Sequence, residues 1–555
     1  MKKTLAFFLS TLLAGALFAG NGKLAKDLES LDPSSNVDVI VQFKQAPTEA
    51  HHQKIRARGG LHKRSLDLVK GSLYSVPAST LKSLAEDPDV VYIAPDRPVK
   101  GALDLAQAAV NANIALTYGW DGTGVGVAVI DSGIQLIDDL KNANGQSRIV
   151  YSQSFVSGQT FSGDLYGHGT HVAGILGGNG SRSSGSASYT RTFRGIAPNV
   201  NLINLRALDL NGAGTDSSVI AAIQQAIQLK GTYNIRVINL SLGRPVFESY
   251  TVDPLCQAVE QAWKAGIVVV VAAGNEGRNN SAGTNGYGTI GAPGNDPYAI
   301  TVGAMKTMGT ATRSDDLIAS YSSKGPTMLD HIVKPDLVAP GNRVVSTMFN
   351  SSMSIGANLI LLQYPQNKIP MSYYMTPGSS ISSANYFLLS GTSMATPVVS
   401  GAAALLLQQN PRLTPDLVKA RLMKTAYKTF PASSIATDTV TGAIYTSYYD
   451  LFTVGAGYLD VWAALNNSDT LPAGTTALSP TAVYNATTGQ VSLVNGANVV
   501  WGTNVVWGTN VVWGTNVVWG TSGTQGFNVV WGTNVVWGTS QPSGESVSLA
   551  VNGEQ

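Results

Sequence analysis

The sequence predicts an α/β fold, a three-layer domain with a mainly parallel sheet and helices on both faces. Between about residues 105 and 466, short apolar runs rich in β-branched residues alternate with helical patterns. The runs also lack the polar alternation of a strand that has one face in water, and such strands are typical of parallel sheets covered by helices. They are VGVAVID (125–131), VNLINLR (200–206), VINLSLG (237–243), GIVVVVAAG (266–274) and AITVGA (299–304).

The segment before this domain is predicted to comprise two parts. Residues 1–20 have the pattern of a bacterial-type secretory signal peptide, because two lysines precede an apolar run from Leu5 to about Ala19. The run is short for a membrane span, which needs about 20 residues; a buried N-terminal helix is the alternative. Residues 21–104 predict a small α+β unit, since VDVIVQFK, SLYSVP and DVVYIAP are strand-like and the stretches near 48–58 and 78–87 are helical.

The sequence after this domain falls into three parts. Residues 467–497 are rich in Thr, Ala, Ser and Asn and are predicted to be a linker. Residues 498–539 carry six copies of NVVWGT, which hold six of the nine tryptophans, and residues 540–555 form a short tail. The even period and the valines predict a β-rich or irregular repeat. Surface attachment, self-association and sugar binding are hypotheses for it, and a neutral, expanded extension is the alternative.

Overall composition excludes some function classes. The formal charge is +2 and only 13% of residues are charged, which argues against a protein that binds nucleic acid by electrostatics. Cys256 is the only cysteine, so no intrachain disulfide forms. Its helical, apolar surroundings predict a core residue and not a nucleophile.

Polar residues follow the apolar runs, and ligands of open α/β sheets bind outside the carboxyl ends of the strands. Asp131 ends the first run and Asn275 follows VVVVAAG. Taken alone, each is a common turn residue. A carboxylate and an amide at one sheet edge also suit proton transfer and oxyanion stabilisation.

The stretch GHGTHVAG holds His168 and His171. A zinc peptidase helix spaces its histidines four apart and places Glu after the first. Here Gly169 follows the first histidine and no Glu lies between the two. We therefore expect no metal site at these histidines; a single histidine beside a carboxylate and a hydroxyl can instead act as a proton carrier.

The stretch LSGTSMATPVVSGAAALLLQQNP places Ser393 at the start of an apolar helix that has no polar face. Such a helix is buried centrally, and we expect Pro397 in its first turn, where the missing N–H is tolerated. As an isolated observation, Ser393 is a plain helix cap. In the order Asp131, His168, Ser393 it matches the subtilisin order of a Ser-His-Asp triad.

VAVIDSG, GHGTHVAG, VINLSLG, AAGNEG, KPDLVAPG and SGTSMATP resemble the signatures of the subtilisin-like serine peptidases over roughly 105–466. The resemblance implies that Asp131 orients His168, that His168 takes the proton of Ser393, and that Ser393 attacks the scissile carbonyl. Asn275 and the Ser393 backbone N–H would form the oxyanion hole. Residues 21–104 resemble the inhibitor-type propeptide of the family, a ferredoxin-like α+β unit.

The same resemblance implies further features. The substrate cleft would be lined by Ser241, Leu242, Gly243, Ala272, Ala273 and Gly274, whose backbones would pair with an extended peptide. The chain departs from simple members in an insertion at 351–388, a lid or an added hairpin. It also lacks a compact Asn-rich calcium loop; Asp139 lies where some relatives place a ligand, so no cofactor is required and calcium stays open.

These observations predict a secreted serine endopeptidase made as a zymogen. Its partners would be protein or peptide substrates and its own propeptide, an intramolecular inhibitor removed by autocleavage near 98–106. Two alternatives remain: a maturation protease of narrow specificity, and a surface-associated adhesive or scaffold protein whose tryptophan repeats are the working part.

Overall fold

The computed structural model describes residues 23–25, 28, 31–95, 102–348, 360–376, 382–438, 441–471, 475–485, 490–494 and 553–554. The predicted signal peptide and the NVVWGT repeats lie outside these residues. The chain divides into two compact units, Met1–Val99 and Lys100–Gln555. No helix among the described residues has both the length and the hydropathy to span a membrane.

The first unit is a four-stranded antiparallel sheet with two helices. Its elements are β1 (Asn36–Phe43), α1 (Glu49–Arg56), β2 (Leu61–Leu66), β3 (Gly71–Pro77), α2 (Leu81–Ala85) and β4 (Val90–Pro95). The strand order is β2-β3-β1-β4, with β1 antiparallel to both of its neighbours. β1 buries Val39, Val41 and Phe43, alternate positions that point to one face of a sheet. Sequence analysis missed β2, because its residues LHKRSL are mostly exposed and polar.

The second unit is built around a sheet of eight strands in the order β11-β10-β9-β8-β5-β7-β6, with β12 paired to β10. Its helices are α3 (Ala102–Ala109), α4 (Ala112–Thr117), α5 (His168–Gly177), α6 (Asp216–Tyr233), α7 (Pro254–Lys264), α8 (Ile360–Gln363), α9 (Thr392–Gln409), α10 (Pro415–Thr425), α11 (Leu451–Val454) and α12 (Val461–Leu465). Its strands are β5 (Gly126–Asp131), β6 (Ile149–Ser154), β7 (Asn201–Arg206), β8 (Ile235–Leu240), β9 (Val268–Ala272), β10 (Ile300–Lys306), β11 (Leu317–Ile318), β12 (Leu337–Pro340), β13 (Val344–Thr347), β14 (Lys368–Pro370), β15 (Ser382–Leu389), β16 (Ser433–Thr437), β17 (Ile444–Tyr448), β18 (Thr481–Asn485) and β19 (Gln490–Val494).

The predicted α/β class is confirmed. All five apolar runs form strands, and the pairs β5–β7, β5–β8, β8–β9 and β9–β10 are parallel, whereas the edge strand β11 is antiparallel. Every residue of β5, β9 and β10 is buried, as expected for strands covered on both faces. α9 packs against β8, β9, β10 and α5, which explains why it has no polar face.

One segment differs from its prediction, and the described part of a second agrees with one of its two predicted alternatives. The predicted linker, 467–497, contains the antiparallel pair β18–β19, and Ala482 and Val491 of this pair are buried in the domain core. In the insertion, β14 pairs with β15 and β15 with β13, all antiparallel, so the described part of 351–388 extends a sheet as an added hairpin would.

Candidate active site

Three neighbouring strands end at the same edge of the central sheet, and each leads to a predicted site residue. β5 pairs with β8, and β8 pairs with β9, all in parallel. β5 ends at Asp131, β8 leads to Ser241, and β9 leads to Asn275 two residues beyond Ala273. Because parallel strands share a direction, these residues lie along one edge.

Asp131 and His168 form a buried hydrogen bond at this edge. His168 Nδ1 lies 2.8 Å from Asp131 Oδ1, and the side chains are 17% and 1% exposed. The same oxygen accepts the backbone N–H of Ser132 at 2.7 Å. Since a carboxylate only accepts hydrogen bonds, Nδ1 carries the proton and Nε2 keeps its lone pair.

The environment makes His168 a stronger base. Burial disfavours the imidazolium, but the charge of Asp131 and its hydrogen bond outweigh that effect, so the pKa of His168 is raised above 6.5. The imidazole therefore binds a proton more readily than a free histidine, and the carboxylate behind it stabilises the resulting cation.

The start of α5 is held by Asp164, which sequence analysis missed. Asp164 Oδ1 accepts the N–H of Gly167 at 2.7 Å, and its Oδ2 accepts the N–H of Thr170 at 2.8 Å. Ser132 Oγ bridges the two segments, because it donates to Asp164 and accepts the N–H of Gly169, each at 2.9 Å. An acidic residue shortly before a helix is a typical capping signal, and it could have been found in GDLYGHG.

Gly169 lets α5 approach the end of β5. A Cβ atom at this position would collide with the carbonyl oxygen of Gly133 and lie 3.1 Å from Asp131 Oδ1. The glycine that follows the first histidine therefore sets the closeness of the Asp131–His168 pair.

Ser393 lies in the first turn of α9, behind the cap residue Gly391, whose φ is 136°. Its hydroxyl donates to the carbonyl oxygen of Ser241 at 3.2 Å. Within the described part of the chain, no hydrogen bond joins Ser393 to His168. The structure thus brings Asp131 and His168 into direct contact and leaves the Ser393 hydroxyl on a backbone acceptor.

The position predicted for Pro397 is wrong. α9 begins at Thr392, so Pro397 lies in its second turn. A proline there cannot donate to the carbonyl four residues earlier, which is that of Ser393. Ser241 Oγ donates to this carbonyl instead, at 2.8 Å. The Ser241 side chain therefore stabilises the start of α9.

Asn275 is oriented by Thr392, the second residue that sequence analysis missed. The Asn275 side-chain oxygen accepts the backbone N–H of Thr392 at 2.9 Å and its hydroxyl at 3.1 Å. Since these donors fix the oxygen of the amide, its NH₂ group must point the other way, and it lies near Gly391 (3.3 Å from a Cβ built there). The two hydrogen bonds from Thr392 thereby fix the orientation of the Asn275 amide beside Gly391.

The residues predicted to line the cleft differ in whether their backbone N–H and C=O groups already form hydrogen bonds. Ala273 donates to Val302 and accepts from Gly291, at 3.0 and 3.1 Å. Gly274 donates to the Thr392 hydroxyl at 3.2 Å and accepts from Ser323 at 3.0 Å. The N–H groups of both residues are already paired, so only their carbonyl oxygens keep an acceptor position for a peptide, and the strand-like pairing stays a prediction.

The backbones of Leu242 and Gly243 are less constrained by hydrogen bonds. Leu242 is half-buried and Gly243 is exposed, and neither backbone group of Gly243 forms a hydrogen bond to another described residue. Ala272 closes β9 and pairs with Val302. Leu242 likewise has no backbone hydrogen bond to another described residue, so Leu242 and Gly243 are the predicted cleft residues with backbone groups available to an extended peptide.

His171 differs from His168 in burial, hydrogen-bond partner and pKa. It is fully buried, and its Nε2 lies 3.0 Å from the carbonyl oxygen of Phe387. Burial lowers its pKa to about 3, so it is neutral under ordinary conditions. It links α5 to β15.

Asp139 does not fit a calcium ion. Oδ1 accepts the Ser181 hydroxyl at 3.0 Å and the Arg182 N–H at 2.8 Å, and Oδ2 accepts the Tyr386 hydroxyl at 2.8 Å. Burial raises the pKa of this carboxyl, which disfavours the charged form that a cation needs. Arg148 donates to the backbone carbonyl oxygen of Asp139 at 3.0 Å, so a guanidinium group already lies next to this residue.

Sequence comparisons with known proteins point to one family. The model of the subtilase family matches residues 122–457. The chain is 36% identical to serine protease AprX of Bacillus subtilis (strain 168) over 409 residues, which cover 71% of this chain and 83% of that protein. It is 34% identical to subtilisin DY of Bacillus licheniformis over 317 residues, 57% and 89% of the two chains. A solved cold adapted subtilisin-like serine proteinase is 30% identical, with 56% and 84% coverage and a TM-score of 0.38.

Proposed function

Because the chain belongs to the subtilase family and is a serine endopeptidase, we propose that it cleaves proteins through an acyl-enzyme on Ser393. The observation that carries this proposal is the 2.8 Å hydrogen bond between Asp131 and His168 at the edge where Ser393 lies. It leaves a basic Nε2 on the side away from the carboxylate.

In the proposed reaction, the Ser393 hydroxyl leaves its hydrogen bond to Ser241 and turns to His168 Nε2. His168 takes the proton as the oxygen attacks the scissile carbonyl, and Asp131 stabilises the imidazolium. The proton then passes to the leaving amine, and a water molecule repeats the sequence to hydrolyse the acyl-enzyme. The raised pKa of His168 favours the charged intermediate state.

Asn275 and the Ser393 backbone N–H are proposed to stabilise the oxyanion. The support is the hydrogen bond from Thr392 to the Asn275 oxygen, which fixes the amide beside Gly391 and leaves its NH₂ group as a free donor end among the described residues. A donor that is fixed before the reaction costs no reorganisation when charge develops.

An extended segment of substrate is proposed to lie along Leu242 and Gly243. None of the predicted cleft residues is acidic, so we propose an apolar or broad preference over one for basic residues. Protein or peptide chains are the substrates on this proposal.

Export and zymogen processing complete the proposal. The apolar N-terminal pattern of residues 1–20 supports export to the cell surface or medium. The α+β unit that precedes the peptidase domain supports an inhibitory propeptide, with autocleavage near 98–106. Surface association through the NVVWGT repeats is the corresponding proposal for the C-terminal segment.

Labelling with a fluorophosphonate tests the function. We expect the processed protein to bind one probe at Ser393, located by mass spectrometry, and the Ser393→Ala variant to bind none. Ser400, in the same helix, donates to Asn239 at 2.8 Å, and Ser400→Ala is the matched control that should keep labelling. If processed protein does not label at Ser393, the adhesive or scaffold alternative replaces the peptidase proposal.

A further inference from the structure

Glu554 lies in a polar site formed by residues of the peptidase domain that precede it by more than 200 positions in the sequence. Its side chain is 3% exposed. One carboxylate oxygen, Oε1, accepts from Arg278 at 2.9 Å, from the Ser320 N–H at 2.9 Å, and from the Ser320 hydroxyl. The other, Oε2, lies 2.8 Å from Lys306 Nζ. Two cations and a backbone donor thus surround one carboxylate.

The backbone of Glu554 is held as firmly as its side chain. Its N–H donates to Asn342 Oδ1 at 2.9 Å, and its carbonyl accepts from Asn342 Nδ2 at 3.0 Å. An asparagine that pairs with both groups of one residue binds an extended segment in a defined direction. The contact therefore selects a backbone as well as a charge.

Gly553 adds a requirement on shape. Its φ is 73°, and a Cβ atom there would collide with Ser390 Oγ and lie 2.7 Å from the Arg343 side chain. Side chains other than glycine rarely adopt such a φ. The site therefore accepts a Gly-Glu dipeptide.

The two cations depend on this carboxylate to different degrees. Arg278 also pairs with Asp438 at 3.0 Å and stacks on Tyr445 at 4.4 Å. Lys306, whose side chain is 8% exposed, pairs with no carboxylate other than Glu554 among the described residues. Burial opposes ionisation of Glu554, yet Lys306, Ser320 and Arg278 together lower its pKa below 4.5, which keeps it charged at neutral pH.

The chain neighbours of two residues that hold Glu554 also hold the turn before Ser393. Gly341, next to Asn342, accepts the Gly391 N–H at 2.9 Å. Tyr321, next to Ser320, accepts the same N–H at 3.2 Å through its hydroxyl. Gly391 caps α9, whose second residue is Ser393, and Arg278 lies three residues beyond Asn275 in one loop.

We propose that Arg278, Lys306, Ser320 and Asn342 form a carboxylate-binding site whose ligand is the chain's own Gly553–Glu554, and that its docking braces the turns carrying Asn275 and Ser393. Glu554 is a positioning residue on this account. The docking is inferred from the contacts alone, whereas its expected effect on turnover depends on the proposed function.

Hydrogen exchange of the full-length chain tests the docking. The Ser393→Ala background prevents self-digestion, and the readout is exchange in the segment around Ser320, whose N–H donates to Glu554. We expect Glu554→Ala to accelerate exchange there on the order of tenfold. Gly553→Ala, which leaves the charge intact, should have the same effect because the dipeptide no longer fits.

The chain supplies matched controls in a second Gly-Glu pair. Glu545→Ala and Gly544→Ala remove the same groups from the same C-terminal stretch, and both should leave exchange around Ser320 unchanged. Lys306→Met combined with Glu554→Ala should recover part of the thermal stability lost by Glu554→Ala, because the unpaired buried cation is gone. Unchanged exchange in Glu554→Ala, or equal effects of the controls, overturns the site.

Kinetics on the chain with Ser393 intact test the brace. We expect Glu554→Ala to lower kcat by about threefold or more at unchanged KM, since it loosens the reacting groups and not the cleft. Faster exchange with unaltered kcat overturns the brace. Parent protein that hydrolyses no peptide, but still shows the exchange difference, overturns the proposed function and leaves the docking supported.

Discussion

Asp131 and Glu554 are both carboxylates buried in the peptidase domain, but their partners differ. Asp131 faces one titratable imidazole, and its Oδ2 has no partner among the described residues. Glu554 forms ion pairs with two basic side chains, Arg278 and Lys306. The comparison teaches that a buried carboxylate next to a histidine can support proton transfer, whereas a buried carboxylate between two basic side chains can act as a structural anchor.

The largest expected effect separates the two carboxylates by activity. Asp131→Asn should lower kcat/KM about 10⁴-fold, because the amide no longer holds the Nδ1–H tautomer of His168. Its stability should change little, since it removes an incompletely paired buried charge. Peptide hydrolysis and thermal unfolding measure the two quantities.

The pH profile sharpens the same test. Hydrolysis requires neutral His168, so activity in the parent should be lost as pH falls through a pKa that lies above 6.5. In Asp131→Asn the residual activity should extend to lower pH, because the raising influence of the carboxylate is gone. An acid limb at the same pH in both proteins would contradict the assignment of His168 as base.

The next effect concerns the donor that faces the oxyanion. Asn275→Ala should lower kcat by about 10²–10³-fold at nearly constant KM, because the donor acts on charge that exists only in the transition state. Steady-state kinetics with a fluorogenic peptide measure this. Equal changes in kcat and KM with unchanged kcat/KM would exclude an oxyanion role.

A smaller effect is expected at Thr392. Thr392→Val removes a hydroxyl that donates to Asn275 and accepts from Gly274, so kcat should fall about tenfold, as for the loss of one hydrogen bond of about 1.4 kcal/mol. Thr392→Ser keeps the hydroxyl and is the matched control. If the serine variant loses as much as the valine variant, the hydroxyl does not orient Asn275.

The smallest effect on turnover belongs to Glu554, whose contribution is mainly to stability. Removing one partner of a buried ion pair costs about 3–5 kcal/mol, so Glu554→Ala should unfold at lower temperature at neutral pH. Its folded pKa lies below 4.5; the stabilisation is therefore present above pH 4.5 and disappears as pH falls through the folded value. Melting curves of parent and variant in the Ser393→Ala background should converge in acid.

Much of the site could be predicted from the sequence because its residues follow strands or begin helices. Asp131 and Asn275 were placed by the apolar runs before them, and Ser393 by the apolar helix after it. Asp164 and Thr392 were missed, although Asp164 lies shortly before one recognised motif and Thr392 lies within another. The capping role of Asp164 was available in its own segment, whereas the role of Thr392 depends on Asn275, 117 positions away, and a pattern along one segment does not show such a partner.

By itself the sequence determined the alternation of buried strands and helices and the family signatures, because the burial of strands on both faces leaves a continuous apolar run. Only the tertiary structure decided that the Ser393 hydroxyl lies on Ser241, that Asp139 is enclosed by hydrogen-bond donors, and that Glu554 is seated between Arg278 and Lys306. Hydrogen bonds and ion pairs form over about 3 Å between groups that are far apart in the chain. Local periodicity fixes the elements, whereas the packing of those elements fixes these distances.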